Sequence, residues 1–217
     1  MTELGPDFGH TLRSVADLPI DLEDGLAQEL ARILDVEAKI PRTFDALGPV
    51  GGRDVLLLDC ADGIRARQLE ELGARVRFAA TNGPAGIDAP DDSADVIVSL
   101  WNSFRGELGQ PVAEAERILR PGGRLLVLHD YGRDEVSRLR GDLPEYGLLS
   151  RRDGPFLSGG FKVRVIHCFW TFESMDAATS FLGAAFGEVG THVAADMKRP
   201  RLTYNVAVYH RTLGAAG

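Results

Sequence analysis

"VLLLDCADGIRARQLEELGARV", residues 55–76, sets the fold. Its first four residues are an unbroken apolar run, the pattern of a strand covered on both faces. Asp59 ends that run, and Cys60–Gly63 makes a short loop. "IRARQLEEL" (64–72) then reads as a helix closed by Gly73, and "RVRFAAT" opens a second strand. A strand feeding a helix through a tight loop is how nucleotide-type cofactor sites begin. This loop has one glycine, Gly63, where such loops carry two or three.

The same alternation continues outward. "ADVIVSLW" (94–101) is a second buried strand, Pro111 opens a helix that "RPGG" (120–123) ends, and "RLLVLHDY" (124–131) is the next strand. Upstream, Asp21 is expected to cap a helix running to about Asp35, and a shorter helix spans Pro41 to Gly48. Downstream, "FKVRVIHCFWTF" (161–172) fits a strand, a lid or a helix lead-in. Ser174 caps a helix that Gly187 is expected to end. The last segments, 188–195 and 202–210, read as two strands joined by "MKRPR". Buried strands alternating with helices predict a three-layer α/β sandwich, mostly parallel, with a C-terminal antiparallel hairpin. Residues 1–48 form a helical lead-in capping the cleft, and residues 49–217 form the α/β domain.

Composition narrows the function classes. The chain has 217 residues and a net charge of −8, with 19 acidic and 9 basic side chains in residues 1–100. An acidic protein without a basic face does not grip a phosphate backbone, so a nucleic-acid partner is not expected. No window reaches the roughly 20 apolar residues of a membrane span. The N-terminus lacks the pattern of a secretion signal, and Cys60 and Cys168 have no metal-type spacing. A cytoplasmic protein with reduced thiols and no metal is expected.

Three segments together resemble the class I S-adenosylmethionine-dependent methyltransferases. "VLLLDCADG" resembles that family's first strand and cofactor loop. "PDDSADVIVSLW" (90–101) resembles the approach to its fourth strand, with Ala94 in place of an aromatic residue. "EAERILRPGGRLLVLHD" (114–130) resembles its helix, Pro-Gly-Gly turn and fifth strand. The resemblance implies a Rossmann-like sandwich, S-adenosylmethionine as cofactor, and a cofactor loop at Asp59, Ala61, Asp62 and Gly63. Of the family's three loop glycines only the middle one is present, since Ala61 and Arg65 stand at the other two positions.

Two further departures fall in the same half. The family ends its second strand with an acid for the ribose hydroxyls, whereas "FAATNG" leaves Thr81 or Asn82 for that role. Between Thr81 and Pro90 only "NGPAGIDA" is available. A helix plus a strand does not fit there, because a crossover alone takes about a dozen residues. One helix and one strand of the family core are therefore expected to be missing, with Asp88 the nearby acid for an adenine contact.

On the acceptor side the strand ends offer Asn102, His129 and Tyr131 as orienting or proton-removing groups, with Trp101, His167 and Trp170 as pocket walls. For Trp101 the alternative is a core residue, and for His129 a structural one. Adjacent His167 and Cys168 point to opposite faces of a strand, which excludes a nucleophile pair. Two functions follow. One is methyl transfer to a small-molecule acceptor. The other is a methyltransferase-like domain that has lost its cofactor and binds a protein partner or a second copy of itself.

Overall fold

A computed structural model describes residues 18–60, 63–82, 86–101, 103–105, 108–141, 143 and 146–213. The expected positions Ala61, Asp62 and Asn102 lie outside the described residues. Six strands form one sheet in the order β2-β1-β3-β4-β6-β5. β1 (Asp54–Leu58) pairs in parallel with β2 (Arg75–Ala79) and with β3 (Ala94–Leu100), and β3 pairs in parallel with β4 (Leu119–Asp130). β6 (Arg201–Thr212) runs antiparallel between β4 and β5 (Lys162–Thr171).

The period of two along each strand divides the core into two halves. On one face Val55, Leu57, Val98, Leu126, Leu128 and Val206 meet α1 (Asp24–Ile33), α2 (Lys39–Leu47), α3 (Ile64–Glu71), α5 (Glu135–Leu139) and α7 (Met175–Asp196). On the other, Leu56, Leu58, Ile97, Leu125 and Val127 meet α4 (Gly109–Ile118) and α6 (Pro155–Ser158). The result is the expected three-layer Rossmann-like sandwich. β2 is the edge strand, and among the described residues 80–93 no helix or further strand follows it, in keeping with the short link.

The C-terminal hairpin is built differently from the expectation. Residues 188–195 are helical, not a strand. The segment "FKVRVIHCFWTF" supplies the antiparallel partner of β6 instead, and α7 connects the two strands. Ser174 caps α7 as expected, its hydroxyl accepting from Ala177 N at 3.0 Å. Gly187 does not end the helix. With φ 59° and ψ −135° it bends α7, and the chain resumes the helix beyond it. At the other end α1 starts at Asp24 after Glu23, not after Asp21, with no side-chain cap.

α1 and α2 share one hydrophobic core with the sheet. Their connection lies along the outer edge of β5, where Leu34 bridges Trp170 and Asp35 N donates to the Phe169 carbonyl at 3.0 Å.

Candidate functional site at the strand ends

The strand order reverses between β1 and β3, and in open α/β sheets ligands sit outside the carboxyl ends of the strands at that point. Asp59 stands there, directly after β1, with φ 52°, a left-handed conformation that Asp tolerates. Its Oδ1 accepts from Thr81 N at 2.7 Å. Its Oδ2 accepts from the hydroxyls of Thr81 and Ser103. One half-buried carboxylate therefore ties the ends of β1, β2 and β3 together. Ser103 was not singled out from the sequence, since a serine in a loop carries no signal by itself.

Gly63 is the N-cap of α3, and no side chain caps the helix amides behind it. Free amides at a helix start favour a negative or polar ligand group. Arg65, standing at the third glycine position, turns away from the site. It is 2% exposed, donates to the Leu34 carbonyl at 3.1 Å and to Gln68 at 2.7 Å, and lies 3.7 Å from Asp35. Asp35 in turn accepts from the amides of Lys39 at 2.9 Å and Ile40 at 2.8 Å, which starts α2.

Beyond β2 the chain doubles back on itself. Thr81 bridges Ile87, Asn82 N donates to Gly86 O at 2.8 Å, and Asp88 N donates to Ala80 O at 3.1 Å. Gly86 has φ 92°, and a Cβ there would lie 2.3 Å from the Glu114 carboxylate. α4 clamps the turn: Glu114 accepts from Ile87 N at 3.2 Å, while Arg117 donates to Ile87 O at 3.1 Å and Ala89 O at 2.9 Å. Arg117, and then the Ile87 amide, hold the Glu114 carboxyl below its usual range. The Ile87 side chain is buried with Leu58, Ala79, Phe104 and Val112. Asn82 and Asp88 are exposed on this turn.

On the acceptor side the structure corrects several expectations. Trp101 is not a stacking surface. It is 1% exposed, and its Nε1 donates to Asp130 Oδ1 at 3.1 Å. That carboxylate also accepts from the Tyr204 hydroxyl and, through Oδ2, from Arg140 at 2.6 Å. Trp170 is wholly buried against Phe181, Phe186 and Tyr204, so it forms core and not pocket wall. His129 does not face a cleft. Its ring packs by Phe156 and Tyr209, and neither ring nitrogen has a partner of normal geometry. Burial, then the Arg105 charge, pushes its pKa down to about 3. A buried neutral imidazole without a bonded partner is a poor proton acceptor.

The polar row at this end of the sheet is Tyr131, Asn205 and His167. Tyr131 is half-buried and its amide donates to Asn205 O at 2.9 Å. The Asn205 amide nitrogen reaches the carbonyls of Gly132 and Arg133, which turns its oxygen toward His167 Nδ1 at 2.8 Å. That arrangement puts the proton on Nδ1 and leaves the Nε2 lone pair of an exposed histidine available. Asn205 was missed because its partner is 38 residues away on another strand.

No family model matches the chain. It is similar to a protein from Anaeromyxobacter dehalogenans assigned as a type II methyltransferase, at a TM-score of 0.52 and 20% identity over 81% of this chain and 97% of that one. It is also similar to a protein from Anabaena variabilis assigned as a methyltransferase of antibiotic biosynthesis, at a TM-score of 0.50 and 16% identity over 83% and 99%. In sequence it is 33% identical over 132 residues to a mycothiol acetyltransferase of Geodermatophilus obscurus, covering 54% of this chain. The chain spans 42% of that relative's length.

Proposed function

We propose that this chain, which has the class I methyltransferase fold, transfers a methyl group from S-adenosylmethionine to a small-molecule acceptor in the cytoplasm. The observation that carries the reading is the convergence of three strand ends on Asp59 at the point where the sheet order reverses. The residues present fit the amino-acid and ribose portions of the cofactor. Thr81 gives its hydroxyl proton to Asp59, which leaves its oxygen free to accept from a ribose hydroxyl. The uncapped start of α3 suits a carboxylate. S-adenosylmethionine supplies a sulfonium-activated methyl group, so the protein's task is to align the acceptor and exclude water. Tyr131 and the His167 Nε2 are the groups placed to orient an acceptor or take its proton. Asn102 would join them after β3. Two free thiols suit a reducing compartment.

Calorimetric titration with S-adenosylmethionine and S-adenosylhomocysteine tests the reading. Saturable heat that Thr81→Val weakens supports it. The absence of heat with either ligand at millimolar concentration overturns it.

A second reading has its own observation. The Thr81–Ile87 turn is folded onto α4 with Ile87 buried, on the side where the family makes its adenine contacts. A domain that no longer admits cofactor and binds a protein would be built this way. Under that reading neither the parent chain nor Ile87→Ala binds S-adenosylmethionine.

A further inference from the structure

β5 is an edge strand, and only part of its outer edge is covered. Lys39 Nζ donates to the His167 carbonyl at 2.9 Å, and Asp35 N donates to the Phe169 carbonyl. Odd-numbered residues of β5 therefore turn their backbone groups away from β6. By the period of two, so do Val165 and Val163. Among the described residues, no backbone partner meets the outward groups of these two.

Beside this open stretch lies a groove of about 640 Å³ between β5 and α2. Lys39, Arg42 and Arg164 line it, with Thr43 and a floor that includes Leu47 and Val165. No acidic residue lines it, and the nearby Glu37 is paired with Lys39. On a chain of net charge −8 this is a local reversal of sign.

We propose that the open edge of β5 and the basic groove beside it dock an extended acidic peptide of a partner protein as an added strand. Unpaired strand groups supply main-chain hydrogen bonds, and alternate side chains of the added strand meet the groove. Charged side chains also guard edges against aggregation. Guarding accounts for Arg164 and Lys162, but it does not require α2 to stand off from the strand and leave a walled groove. Self-pairing is disfavoured, because a second β5 would set Lys162 and Arg164 among their own copies. A partner carrying carboxylates at alternate positions meets both the charge and the geometry.

The test uses the full chain and a fluorescent acetylated Glu-Val-Glu-Val-Glu pentapeptide at low salt, read by anisotropy. Saturable binding is expected, with none for the Lys-Val-Lys-Val-Lys counterpart. Arg164→Glu and, from the opposite wall, Arg42→Glu each weaken it about tenfold or more. Thermal melts of both variants confirm that they fold. An acidic peptide N-methylated at alternate residues keeps the charge and cannot complete a ladder, so it does not bind. Equal binding of that peptide, no effect of the two arginine variants, or no binding of the parent peptide overturns the proposal.

Discussion

The Asp59 carboxylate accepts two hydrogen bonds from Thr81, one from its amide at 2.7 Å and one from its hydroxyl, across the gap between β1 and β2. Ser103 adds a third from the end of β3. The acid that a cofactor loop would present is thus already engaged in holding the strand ends.

Replacing Asp59 therefore affects stability as well as ligand binding. Hydrogen bonds to a charged acceptor contribute roughly 1.5–3 kcal/mol each in the most favourable settings, less when half-exposed. Asp59→Ala should cost about 2–3 kcal/mol in total. Asp59→Asn keeps one acceptor and tolerates the left-handed backbone, so it should cost about half as much. Urea unfolding of the two variants checks the order. Equal stability of both with the parent would mean that the triple contact contributes nothing.

Ile87 is 7% exposed and anchors the turn beyond β2 in the second core. Truncating a buried Ile to Ala costs about 2–5 kcal/mol, with the lower end expected on a turn that can settle into the space. If the turn restricts the cofactor, Ile87→Ala should also raise the affinity for S-adenosylmethionine. Parallel measurement of melting and ligand heat separates the two effects.

The legible parts of this chain are those written in local pattern. The apolar runs of β1, β3 and β4, the Ser174 cap and the too-short link after Thr81 each follow from a few neighbouring residues. The helical fate of 188–195 was hidden because Gly187 reads as a stop, and only packing of α7 on the sheet carries the helix past it. The site was legible as a place more than as a set of side chains. Asp59 and Thr81 could be named, but Ser103 and Asn205 acquire meaning only through partners far away in sequence. His129 and Trp170 sit on strands covered on both faces, where a polar or aromatic residue near a strand end looks the same whether it faces ligand or core.

Arg65 illustrates a loop position that has changed its task. Its guanidinium is buried with Asp35, whose carboxylate also caps α2. Removing one partner of a buried pair is strongly destabilising, by about 3–5 kcal/mol, because the other charge stays behind. Arg65→Met should therefore cost about that much and loosen α1 and α2 first. Hydrogen exchange of the Lys39 and Ile40 amides reads the local effect. Restoring glycine at position 65 should destabilise the chain further, because helix propensity is lost as well.

His129 gives the protein a pH dependence of predictable sign. In the folded chain its pKa is pushed down to about 3, chiefly by burial, against an ordinary value of 6.5. Above pH 6.5 the ring is neutral in both states and contributes no slope. Below 6.5 the unfolded chain takes up a proton that the folded chain does not, so stability falls as the pH drops toward 3. The total is on the order of a few kcal/mol. Carboxylates such as Asp54, held down to about 2 by Arg75 and Arg120, lose their contribution only at lower pH. His129→Leu removes the imidazole while keeping an apolar fill against Phe156. The variant should gain stability relative to the parent between pH 6 and pH 4, with little difference at pH 8. Urea midpoints across that range measure it, and a gap between the two proteins that does not widen as the pH falls would show that the ring is protonated in place.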